Sequence, residues 1–151
     1  MSIANDYHNI TKYHPQTIGN GPAVDWNSQP SPFKEFHSQT RVDLRSHLLL
    51  ARNEESDRPV LQEPDPVSPT YELSRLATLL LHVGGVTAQQ PTHDEPMLFR
   101  AAPSAGALYP TEIYVALRDF PGVDDGIYNF QVKDHSLAPV MEGKIWGDLE
   151  A

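Results

Sequence analysis

Cysteine is absent from the 151 residues, and with it disulfides, thiolate metal sites and a cysteine nucleophile. Positive charge is scarce: 11 Lys and Arg face 20 Asp and Glu, for a net charge of −9. That balance argues against nucleic acid, which demands a basic footprint, and against an anionic membrane surface as a partner. No apolar run approaches the ~20 residues of a membrane span. The opening MSIANDYHNITKYHPQ lacks the basic and apolar regions of a secretory signal, so a cytoplasmic chain is expected.

What is present suits one domain of ordinary size. A 39% hydrophobic fraction supports a core, and 14 prolines, most of them before residue 111, predict a loop-rich N-terminal half. YHNITKYHPQTIG starts with a short helix expected to stop near Pro15. DWNSQPSPFKEF reads as an extended segment whose Trp26, Phe33 and Phe36 pack onto something, with Pro30 and Pro32 favouring polyproline geometry. Residues 1–40 are thus expected to form an arm laid over a body made by 41–151. Within that body, 41–51 is a short strand or helix, and 52–67, charged and holding three prolines, is a solvated loop or linker.

The clearest helix is SPTYELSRLATLLLHVGGVT, 68–87. Ser68 is placed to cap it and Pro69 to occupy its first turn. Leu73, Leu76, Ala77, Leu80 and Val83 follow the spacing of one buried face, and Gly84 and Gly85 end it. Residues 88–97 read as a polar loop. TEIYVALRDF (111–120), GIYNFQV (126–132) and LAPVM (137–141) are predicted strands, the last two joined by a KDHS turn at 133–136. GKIWGDLEA resembles the start of another helix.

RAAPSAGALYP, residues 100–110, sets small residues just before the first of these strands. On physical grounds it has two readings. Pro103 and Ser104 could open a short helix whose free N–H groups, with the bare backbone of Ala105, Gly106 and Ala107, approach a flat ligand, while Arg100 supplies a cation or a donor fork. The other reading is a small-residue turn that lets neighbouring elements pack closely; no glycine-rich fingerprint is complete here.

RAAPSAGALYPTEIYV resembles the signature of the SagB-type dehydrogenases, FMN-dependent members of the nitroreductase-like superfamily that oxidise azolines in peptide natural products. The N-terminal arm, the ELSRLATLLLHVGGVTA helix and FPGVDDGIYNFQVKDHSLAPV are similar to that family in the same order. The resemblance implies an α+β, nitroreductase-like fold: an antiparallel-rich sheet flanked by helices, incomplete at the C-terminus because the family's domain continues past the hairpin. It implies FMN as cofactor, contacted by Arg100, Pro103, Ser104, Ala105, Gly106 and Leu108, with Pro103 and Pro110 shaping the turn. A small-molecule or peptide substrate follows, and a homodimer or pairing with a second nitroreductase-like domain. The alternative is a degenerate half that binds no flavin and instead supports a partner domain or docks a peptide. Classical nitroreductases resemble this loop in the pattern Pro-Ser-Ser-x-Asn-x-Gln-Pro-Trp; Ala107 and Tyr109 stand where their Asn and Gln would be, which favours the SagB-type branch.

The superfamily's Arg-x-Ser-x-Arg phosphate segment does not occur in LRSHLLLARNEESDRPVLQEP; Arg45, Arg52 and Arg58 are the candidates that remain. The resemblance leaves the catalytic residues unknown. Tyr109, Tyr114 and Tyr128 are each either proton donors or core and interface residues. Seven histidines show no metal-ligand spacing, THDE at 92–95 lies in a polar loop, and no metal site is expected. His82, in the last turn of the main helix, suits its dipole.

Overall fold

The computed structural model describes residues 2–12, 14–15, 31–38, 40–52, 59–93, 95–143 and 147. The expectations placed on Trp26, Pro30, Arg58, Asp94 and most of the terminal GKIWGDLEA fall outside these residues. Two compact units divide the chain, Met1–Pro30 and Ser31–Ala151.

The first unit holds α1, Ile3–Thr11. Ser2 sits extended at its start and its hydroxyl accepts from Asn5 N at 3.4 Å. Helical geometry stops at Lys12, before Pro15. The stripe Ile3, Tyr7 and Ile10 is exposed.

In the second unit, Tyr114–Leu117 (β6), Gly126–Gln131 (β7) and Ser136–Glu142 (β8) form an antiparallel meander. Val42–Asp43 (β1) adds to its far edge, giving the order β1-β8-β7-β6. All neighbours are antiparallel, so the α+β class with an antiparallel sheet holds. β7 and β8 lie close to their predicted bounds. Their turn is Val132–His135 rather than 133–136, because Ser136 pairs with Gln131 and His135 takes φ 52. β6 is shorter than predicted: Thr111–Ile113 lies outside the ladder, although Ile113 O accepts from Phe130 N at 2.9 Å.

The helix over the sheet, α2, runs Tyr71–Gly84. It starts later than the sequence predicts. Ser68 and Thr70 bond to each other in a turn, and Thr70 stands at the cap position with no side-chain capping bond. Gly85 ends the helix, its N–H reaching Leu80 O and Leu81 O at 3.0 Å. Leu76, Ala77 and Leu80 are buried against Leu44, Leu117, Tyr128, Phe130 and Leu137. Val83 is not: at 48% exposure it lies at the stripe's margin, and Gly84 takes the buried position. At about 100° per residue the buried arc runs from Leu76 through Leu80 and Gly84 to Ala77, and Val83 falls just outside its Leu76 edge.

Two expected loops contain strands. Val86–Gln90 (β4) and Met97–Arg100 (β5) form an antiparallel hairpin where a polar loop was predicted over 88–97. Most of β4 is exposed, so no apolar alternation marks it. Leu50–Arg52 (β2) pairs with Pro59–Leu61 (β3), which lies inside the 52–67 segment expected to be a loop or linker.

Candidate functional site

The site is built where β5 ends beside the C-terminal end of α2. Ala101 N donates to Gly85 O at 2.9 Å, which fixes the chain's exit from β5 against the helix terminus. The next residues have too little side chain to form a core of their own, so the backbone closes on itself. Ser104 is extended; Ala105–Ala107 makes one tight 3-10 turn. Gly106 has φ 65, Ala107 φ 53 and Tyr109 φ 45. Three left-handed residues in four positions are costly for the two that carry Cβ, at about 1–2 kcal/mol each.

Two side chains hold this shape. Ser104 Oγ accepts from Tyr109 N at 2.9 Å, and Tyr109 Oη accepts from Arg100 N at 3.1 Å. The Tyr109 ring is buried. The serine is thus a lock across the turn rather than the start of a helix: the expected short helix is a single strained turn, too brief to offer a helix N-terminus.

A cleft of about 200 Å³ opens beside the turn. Val83 and Gly84 of α2 face Pro103, Ser104, Tyr109 and Ile113 across it, and Arg100 also reaches it. Close approach of α2 comes from Gly84, where a Cβ would stand 2.5 Å from Ile113 Cδ1. Of the six residues expected to touch a cofactor, Arg100, Pro103 and Ser104 line this cleft. Ala105, Gly106 and Leu108 form the exposed rim of the turn beside it, Leu108 at 47% exposure. A Cβ on Gly106 would meet only Leu108, at 3.8 Å, so the outer face of the turn is open enough for a flat ring.

Arg100 is 7% exposed. Nη2 donates to Pro32 O and Nη1 to Thr111 O at 3.4 Å, while the guanidinium lies 5.0 Å from the ring centroids of both Phe33 and Tyr109. Nε is buried and has no hydrogen-bond partner among the described residues. Burial lowers the guanidinium's pKa from its ordinary value, partly offset by the nearby charge of Glu112.

The other tyrosines are elsewhere. Tyr128 Oη donates to Asp124 O at 2.6 Å; its pKa is raised by burial and then by Asp124. It lines a separate cleft with Arg41 and Glu142. Tyr114 is half exposed and bonded to Lys34 Nζ at 3.1 Å. His82 Nδ1 donates to Thr78 O at 2.8 Å on the helix surface. Arg45 donates to Lys133 O in the β7–β8 turn, and the side chains of Arg52 and Arg58 lie outside the described residues. Among the described residues, no group of three His, Asp or Glu side chains is placed to hold a metal, and no helix is long and apolar enough to cross a membrane.

Val83, Gly84 and Ile113 were not foreseen as site residues, and Tyr109 was weighed only as a proton donor or a core residue, not as the residue that shapes the turn. Gly84 and Tyr109 carried a signal, one ending the apolar helix and one inside the small-residue stretch. Val83 and Ile113 carried none that separates them from core positions.

Fold and site together define an antiparallel α+β protein with a strained, small-residue turn beside a cleft. No protein-family model matches the chain. Two proteins, each described as a putative nitroreductase, are similar to it. One, from Methanocaldococcus jannaschii, is 35% identical over 82 residues, which is 54% of this chain and 38% of that protein. The other, from Anabaena variabilis, has a solved structure that superposes with a TM-score of 0.70 at 37% identity, covering 99% of this chain and 28% of that one. The chain is nitroreductase-like in sequence and fold, and it spans well under half the length of these relatives.

Proposed function

We propose that the chain forms the front wall of an FMN-dependent oxidoreductase of the SagB-type branch, acting on an azoline or similar peptide heterocycle. The observation that carries this reading is the turn itself. The residues of the recognised signature are held, at a cost in backbone strain, with their bare backbone facing outward beside an apolar cleft. Strain of this kind persists where the surrounding structure enforces it, typically at ligand sites.

The residues fit one wall of a flavin site. Ala105 and Gly106 offer backbone against which a flat ring can lie, Leu108 adds apolar contact at its edge, and Pro103 and Ser104 line the cleft. At about 200 Å³ the cleft is below the roughly 300–1,000 Å³ of ligand pockets, so the remaining walls come from elsewhere: a partner copy in a homodimer, or a second nitroreductase-like domain. FMN, when bound, supplies the hydride acceptor. The chain's own part is to bind, to orient and to exclude water. The degenerate half that supports a partner without flavin is the alternative.

The test is an absorbance spectrum of the purified chain after incubation with FMN and desalting. A retained flavin band is expected, diminished by Gly106→Leu. A colourless eluate, both alone and with a completing partner domain, would reject the flavin reading and favour the supporting half. Conversion of azoline peptides by the completed protein then tests the SagB-type assignment.

A further inference from the structure

Arg100 is a buried cation whose bonds, among the described residues, go to carbonyl groups rather than to a carboxylate. A guanidinium taken out of water needs compensation for its lost hydration. Here the compensation comes from two remote pieces of chain. Pro32 and Phe33 supply a carbonyl and a ring face; Thr111 and Tyr109 supply the other carbonyl and the other ring face. Each ring centroid is 5.0 Å from the guanidinium carbon, within the range of a cation–π contact.

We propose that Arg100 is a positioning residue that clamps the Pro32–Phe36 segment to the Ser104–Tyr109 turn, so that docking of this segment sets the shape of the ligand-facing wall. Its relevance to cofactor rests on the function proposed above; the clamp itself does not.

The Pro32–Phe36 segment is a firm anchor. Phe36 N donates to Gln131 Oε1 at 3.1 Å, and Arg41 Nη2 donates to Phe36 O at 2.7 Å. Lys34 Nζ bonds Tyr114 Oη at 3.1 Å, and the Phe36 ring meets the Tyr114 ring edge-on at 6.3 Å. On the other side, Tyr109 is the hinge of the turn. Its ring stacks on the guanidinium, its hydroxyl accepts from Arg100 N, and its own N–H is held by Ser104 Oγ. Ala107 and Tyr109 stay left-handed only while Tyr109 is pinned. Unpinning it releases the turn toward ordinary backbone and flattens the rim.

Amide hydrogen exchange on the full chain tests this without any cofactor. The variants are Phe33→Leu, Arg100→Gln, Arg100→Lys and the double Phe33→Leu/Arg100→Gln. Phe33→Leu keeps the arginine and most of the apolar bulk. Each single variant should speed exchange at Ala107 and Tyr109 about tenfold, the order expected of a desolvated cation–π contact, while Phe130 in β7 stays protected as a folding control. The double should exceed its stronger parent by little, since both act on one contact. Arg100→Lys should fail to rescue, because a point charge cannot serve two carbonyls and two ring faces as a planar fork does. If Arg100→Gln does not fold, Phe33→Leu alone decides. Unchanged exchange in the turn with β7 protected would overturn the clamp, and so would fully additive effects. Faster exchange in a chain that never retains FMN would uphold the clamp while the flavin reading fails.

Discussion

At the scale of single residues, Gly106 is where the turn is most sensitive to change. It sits at φ 65, and an added Cβ would meet only the Leu108 side chain at 3.8 Å, an ordinary contact, so the penalty for a small side chain there is conformational rather than steric. Gly106→Ala should cost about 1 kcal/mol in a denaturant melt and leave FMN retention largely intact. Gly106→Leu should carry a similar stability cost and also lose retention, because its bulk occupies the face of the turn. His135 gives the chain a pH response. It is buried, its Nε2 donates to Ala77 O at 3.1 Å, and its ring stands edge-on to Phe130 at 5.2 Å. Burial lowers its pKa from the usual 6.5, so between that lowered value and about 6.5 the unfolded chain binds more protons than the folded one. Stability should therefore be complete above about pH 6.5 and fall as pH drops below it. Melts across pH 5–7.5 check this, and His135→Gln, which keeps a donor and does not titrate, should flatten the slope. The sequence showed where the turn was, because small residues declare bare backbone. It could not show the role of Arg100, whose partner Pro32 lies 68 positions away and forms no local pattern with it.

At the scale of elements, β7 and β8 were legible because burial on both faces, along β7 and over Ser136–Ala138 of β8, favours runs such as GIYNF and SLA. β4 was not, because a strand exposed along most of its length keeps polar residues such as Gln89 and Gln90; β5 is apolar over Met97–Phe99, a run too short to stand out as a strand. The start of α2 misled for another reason: Ser68 and Pro69 have the composition of a helix start, but the serine was taken by a turn with Thr70. Two glycines separate steric effects within these elements. At Gly126 a Cβ would stand 2.5 Å from Met141 O on the neighbouring strand. Main chain cannot step aside without breaking the ladder, so Gly126→Ala should destabilise by about 2 kcal/mol. At Gly84 the clash is with the tip of Ile113, which can rotate, and alanine is favoured over glycine in a helix by about 1 kcal/mol. Gly84→Ala should be close to neutral in stability while narrowing the cleft. Thermal melts of the two variants should differ clearly.

For the molecule as a whole, the proposed cofactor should act as a stabiliser. FMN at a hundredfold excess over its dissociation constant would add about 2.7 kcal/mol, a rise in Tm of roughly 5–10 °C for a domain of this size. A scan with and without FMN that shows no shift would count against binding by the chain alone, independently of colour. The long-range organisation has a further consequence for how the chain is made. Arg41 pairs with Asp134 at 2.6 Å across 93 positions, and Phe36 bonds Gln131 across 95. Leu44, fully buried, is tied to His135 O. None of these early residues finds its place until the β7–β8 hairpin has been synthesised. At about 5–20 residues per second, that is a wait of roughly 5–20 s on the ribosome. During that wait α2 is complete yet has no sheet to cover its leucines, and a holding chaperone would find its binding site there.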